Sequence, residues 1–130
     1  MKSIPTMFFA TAGIFALIGM LWGIQMSASQ DHSMAPAHGH LNLIGFVAMA
    51  IFGAYYALSP TAAASRLAKV HFLLMTLAVL VIVPGIVLAI AEEQEVLAKI
   101  GSVLAVLGMA LFVFMVLRHG VSAGGESRDG

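Results

Sequence analysis

Ala37-His38-Gly39-His40-Leu41-Asn42-Leu43 opens an apolar run that continues to Leu58. Beyond Asn42 that run carries no charge and hardly a polar side chain, and it is long enough to be a membrane helix, which needs roughly 20 residues to cross about 30 Å of hydrocarbon. Three further stretches of comparable length and character lie on either side of it. The spans are therefore predicted at about 7–26, 36–58, 69–91 and 96–117. The fold class that follows is all-α, an integral membrane four-helix bundle occupying residues 1–121, with 122–130 as a flexible cytoplasmic tail rich in Gly and Ser. The first run follows Lys2 as a signal peptide would, but it is longer than the apolar core of one and is read as a span.

Composition agrees. Of the 130 residues 61% are hydrophobic and 9% charged, against about 25% charged in soluble domains. The formal net charge is zero and no basic stripe is present, so nothing offers the counterion-release attraction that binds nucleic acid. There is no cysteine, which removes thiolate nucleophiles, iron-sulfur clusters and disulfides. Histidine, methionine, carboxylates and a few hydroxyls remain as chemistry.

Orientation follows from the basic residues. Lys2, Arg66, Lys69, Arg118 and Arg128 fall on one side of the predicted spans and Lys99 alone on the other, so both termini are expected in the cytoplasm of a bacterial-type inner membrane. His38-Gly39-His40 then lies at the outer face, as does Glu92-Glu93-Gln94-Glu95, read as a solvated turn. Gly19-Met20-Leu21-Trp22-Gly23 is a small-xxx-small pattern that admits close approach by another helix. Pro36 suits the first turn of the second span, and Pro84 should kink the third, because it cannot donate to the carbonyl of Leu80.

Residues two apart on a helix are rotated by about 200°, so His38 and His40 face nearly opposite ways and suit two centres flanking one helix better than one shared metal. His38 and Asn42, four apart, share a face, and the amide can orient a ligand or bind a propionate. Gly39 between the histidines leaves room for a flat macrocycle. The alternative is a pair of interfacial polar residues satisfied by water and loop carbonyls.

Other candidates are sparser. Met26, His32 and Met34 combine thioether and imidazole, a donor set suited to copper(I); the other reading is a loop that merely holds methionines. His71 falls at the opposite face from His40 and is read as an interfacial histidine bonded to a loop or neighbouring helix, or as a proton-entry group or lipid contact. Tyr55-Tyr56 are read as aromatic-belt anchors, and His119 as solvated. No Ser/His/Asp arrangement, phosphate loop or paired buried carboxylates are evident.

Ala37-His38-Gly39-His40, with the glycine-dotted helix that ends at Pro60, resembles helix ten of subunit I of the haem-copper oxidases, in which an Ala-His-x-His motif ligates two haems. Ala68-Lys69-Val70-His71-Phe72 with Met75 resembles the start of that subunit's helix eleven, and by extension the first and last spans correspond to its ninth and twelfth. The resemblance implies one four-helix arc of that subunit. It implies His40 as ligand of an electron-transferring haem, His38 as ligand of the haem at the oxygen-reducing centre, and His71 as structural. The family's copper-ligating histidines and its redox tyrosine have no counterpart in this chain. Because the family's twelve helices form three such arcs about a pseudo-threefold axis, the resemblance further implies a homotrimer, with haem b held across the interface between His40 of one copy and His38 of the next; Asn42, from its spacing to His38, completes the candidate cofactor-binding set. The expected function is that of a membrane b-type cytochrome for electron transfer or diatomic gas binding, served by an electron donor or respiratory complex. The alternatives are a copper-binding protein and an accessory or structural subunit of a respiratory membrane complex.

Overall fold

The computed structural model describes residues 2–122; most of the predicted tail, 123–130, lies outside them. The described chain is helical with no strand, and four helices are long and apolar enough to cross a membrane: α1 (Ile4–Ser29), α2 (Ala35–Leu58), α3 (Arg66–Glu92) and α4 (Val96–His119). A single turn, Pro60–Ala63, joins α2 to α3. Each helix extends beyond its apolar segment or begins earlier, because capping residues lie outside the apolar run. Ser3 caps α1 by accepting from the Thr6 N–H at 3.3 Å, and Ser65 caps α3 by accepting from the Leu67 N–H at 3.1 Å. Gln30 and Glu93 end α1 and α3 in the left-handed conformation, at φ 61° and 55°.

Large apolar side chains on all four helices stay exposed, Met20, Ile24, Leu43, Val106 and Leu117 among them. Such a surface is untenable in water and is what hydrocarbon requires. With backbone bonds satisfied inside helices, this is a multi-pass membrane chain.

The short connections make neighbouring helices antiparallel and sort the charges. Lys2, Arg66, Lys69 and Arg118 gather at one end of the bundle, called here the basic end; Asp31, Glu92, Glu93, Glu95 and Lys99 gather at the other, the acidic end. The connection at Glu92–Glu95 is exposed, and Glu95 and Lys99 form a solvent-facing ion pair at 3.7 Å.

Packing is uneven along the bundle. Towards the basic end Phe8, Met49, Phe52, Tyr56, Met75 and Met115 make one dense core. Towards the acidic end a thinner cluster of Phe15, Leu41 and Val79 is lined by Trp22, Ile44 and Val83. α3 and α4 touch backbone to backbone. A Cβ on Gly85 would lie 2.5 Å from the Ala98 nitrogen, and one on Gly101 2.5 Å from the Ile82 Cα. α3 remains helical through Pro84, one residue before this contact.

α2 is not uniform. After Ala35–His40 it widens into a π-helix over Leu41–Ala48 before resuming α geometry at Met49. Within the widened part Gly45 is buried against Phe15 of α1, where a Cβ would lie 3.1 Å from the Phe15 side chain. Stretches of π-helix inside α-helices are rare and recur at functional sites.

A candidate cofactor site at the acidic end of helix two

α2 begins under local control. Asp31 Oδ1 accepts from the Ser33 N–H at 3.0 Å, the His32 carbonyl from the Ala35 N–H at 3.1 Å, and the Met34 carbonyl from the His38 N–H at 3.0 Å. The backbone N–H of Ser33 stabilises the ionised carboxylate and holds the Asp31 pKa below its ordinary 3.8. Pro36 occupies the first turn, where a missing N–H costs nothing.

The two histidines part company. His38 turns towards α1, where its Nε2 lies 2.9 Å from the Gly19 carbonyl oxygen. A carbonyl only accepts, so Nε2 carries the proton and donates it. Asn42 Nδ2 lies 3.3 Å from Nε2 and 3.5 Å from Nδ1; with Nε2 already a donor, the amide can donate only to Nδ1. Trp22 meets the ring edge-on, with centroids 5.9 Å apart.

Two glycines make this possible. A Cβ on Gly19 would run into the Asn42 amide, and one on Gly23 would lie 3.3 Å from His38 Nε2. The small-xxx-small pattern of α1 thus admits two polar side chains of α2. Gly19, Met20, Gly23, Ser27, His38 and Asn42 line a groove of about 440 Å³ along this seam.

His40 makes a different bond. Its Nδ1 lies 2.8 Å from the carbonyl oxygen of Pro36, one turn back on its own helix. Nδ1 must therefore be the protonated nitrogen, which leaves the Nε2 lone pair uncommitted in the neutral ring. A backbone carbonyl holding Nδ1–H is the usual orienting partner of a metal-ligating imidazole. A Cβ on Gly39 would meet nothing within 4 Å, so the helix surface beside His40 is open. One turn further along, Leu43, Ile44, Val47, Ile51, Met109 and Phe112 line an apolar groove of about 480 Å³ between α2 and α4.

The remaining candidates are dispersed. Met26 is buried in the last turn of α1, His32 is exposed in the loop and Met34 is half-buried just before α2. Among the described residues, no group of three or more His, Asp or Glu side chains is placed to hold a metal ion.

The basic end corrects two expectations. His71 is bonded to a neighbouring helix, as expected, but from inside the core rather than from a surface. It is fully buried, its Nδ1 2.9 Å from the Tyr56 hydroxyl, with Phe8, Phe52 and Phe112 rings 4.6–6.2 Å from its own. Nor do Tyr55 and Tyr56 anchor the chain in headgroups. Tyr55 donates towards the Met115 and Gly120 carbonyls at 3.0 and 2.9 Å, and Tyr56 is 1% exposed. Belt positions and capped-core positions have the same composition at a helix end; the spacing of 15 between Tyr56 and His71, across a tight connection, was the available clue. His119 closes α4 as its last residue.

Comparison of the chain with family models, with curated proteins and with solved structures finds no match.

Proposed function

We propose that this chain is a membrane b-type haem protein, carrying electrons or binding a diatomic gas, in which His40 would hold the iron. The observation that carries this reading is the 2.8 Å bond from His40 Nδ1–H to the Pro36 carbonyl, which orients the ring and leaves Nε2 as a neutral donor. The open surface at Gly39 and the apolar groove from Leu43 to Ile51 fit a flat, largely apolar macrocycle. With no cysteine in the sequence, attachment would be non-covalent, as in b-type centres. Support also comes from the resemblance of Ala37-His38-Gly39-His40 and Ala68-Lys69-Val70-His71-Phe72 to the haem-copper oxidase subunit.

When bound, haem supplies a one-electron couple, or a gas site if one axial position stays open. The residues of this chain do the rest. Pro36 fixes the tautomer of His40, the apolar groove excludes water, and exposed α2 side chains such as Leu43, Val47 and Ile51 offer a face to a second copy. In a homotrimer a histidine of the neighbouring copy, most directly its His38, would complete the site. The neighbour's His38 reaches iron through Nε2 only by releasing the Gly19 carbonyl, so the two histidines are not equivalent.

Absorbance spectra of purified protein, oxidised and dithionite-reduced, test the reading. A Soret band that shifts on reduction is expected. His40→Ala should abolish it and His38→Ala should weaken it; an unchanged band in His40→Ala, or none in the parent after growth with haem precursor, defeats the proposal. Mass measurement in detergent tests the trimer separately.

A further inference from the structure

The basic end carries a second pocket, remote from His40. About 520 Å³ in volume, it is lined among others by Lys2, Ser3 and Ile4 at the start of α1, Tyr56 and Pro60 at the end of α2, and Lys69 in the first turn of α3. Two exposed lysines, one just before α1 and one on α3, therefore line one cavity. Among the described residues every carboxylate is at the other end of the bundle, and the one ion pair there uses Lys99. The first turn of α1 has no acidic side chain, so no carboxylate there offsets the lysine charge, and the positive end of the helix dipole points the same way.

The wall is as informative as the charge. Ile4 and Tyr56 are buried, and Tyr56 is held by His71, so the apolar side of the pocket is rigid. A phosphate at the lysines with hydrocarbon along Ile4 and Pro60 matches a phospholipid, whose phosphate lies at the depth where membrane helices end. Basic pockets between membrane helices bind anionic headgroups on these grounds. A zwitterionic lipid would bring its own cation to Lys2 and Lys69 and lose the advantage.

We propose that this pocket binds the phosphate of an acidic phospholipid, independently of any haem at the other end. Protein purified in phospholipid-free detergent is loaded with equal phosphatidylglycerol and phosphatidylcholine, and retained lipid is weighed by native mass spectrometry. The full chain should retain phosphatidylglycerol in preference, by about thirtyfold if each lysine has its usual weight near an anionic surface. Lys2→Gln with Lys69→Gln should abolish the preference, whereas Arg66→Gln with Arg118→Gln removes the same charge from outside the pocket and should keep it. Equal loss in both double variants, or no loss in the lysine variant, overturns the proposal. Release of the lipid by millimolar inorganic phosphate alone would assign the pocket to a free anion and also overturn it.

Discussion

At the basic end of α2, Tyr56 and its partner His71 are enclosed by Phe8, Phe52 and Phe112; at the acidic end, His38 and His40 stay half-buried beside open grooves. Both regions place imidazoles in an apolar chain, and both fix Nδ1 or Nε2 by a named bond. They differ in what is left over. The His71 ring fills a core position sealed from solvent, so neither of its nitrogens is open to another molecule. The His40 ring leaves its Nε2 where another molecule can reach it. Polar groups in hydrocarbon are costly, and the dense end offsets that cost with packing while the open end does not. The His40 ring keeps one nitrogen oriented and the other accessible, as the proposed ligand role requires, whereas the sealed His71 ring is part of the core.

The widest separation between the two regions should come from deleting each imidazole. His71→Ala leaves a cavity and a buried Tyr56 hydroxyl without a partner, and should cost about 3 kcal/mol, read as a lowered midpoint of denaturant unfolding in micelles. His40→Ala should stay within about 0.5 kcal/mol of the parent when haem is absent. Equal losses would erase the distinction.

Glycines give the next test. Within the acidic end itself, Gly85→Ala and Gly101→Ala, in the α3–α4 seam away from His40, each drive a Cβ into the backbone of the facing helix and should destabilise by about 2 kcal/mol. Gly39→Ala meets nothing, so its unfolding midpoint should differ from the parent only by the small gain of alanine over glycine in a helix. Should Gly39→Ala unfold the chain, the acidic end is packed more tightly than its geometry implies.

Tyr55→Phe removes one hydroxyl from the Met115 and Gly120 carbonyls and should cost about 1 kcal/mol, visible as faster amide exchange at the end of α4. Smallest of all is the acid titration of Asp31. Its folded pKa is depressed, so any stability it lends the loop before α2 is present above its ordinary 3.8 and is lost as pH falls through the lower folded value. The carboxyl carbon shift followed by NMR should therefore have a midpoint below 3.8, and Ser33→Pro, which removes the N–H, should raise it.

Much of the acidic end is legible residue by residue. The i, i+4 spacing places His38 and Asn42 on one face, and they touch; the i, i+2 spacing parts His38 from His40, and they bond in different directions. Gly19 and Gly23 mark a close approach, but nothing local says that a histidine and an amide would fill it. Tyr55 and Tyr56 mislead because the same residues at a helix end serve as lipid anchors or as core hydrogen bonders, depending on which neighbour covers them. The π-helix at Leu41–Ala48 has no compositional signature. Within it Gly45 seats against Phe15 of α1, a contact between residues thirty positions apart that no local pattern announces.

By itself the amino-acid sequence determines four spans, because apolar length and backbone hydrogen bonding leave a helix no alternative in hydrocarbon. It also determines the segregation of basic and acidic ends, which follows from where the connections fall. Only the tertiary structure decides which histidine is sealed and which is open. Burial and the identity of an imidazole's partner arise from side chains distant in sequence, Gly19 for His38 and Phe8, Phe52 and Phe112 for His71, and no local pattern encodes that meeting.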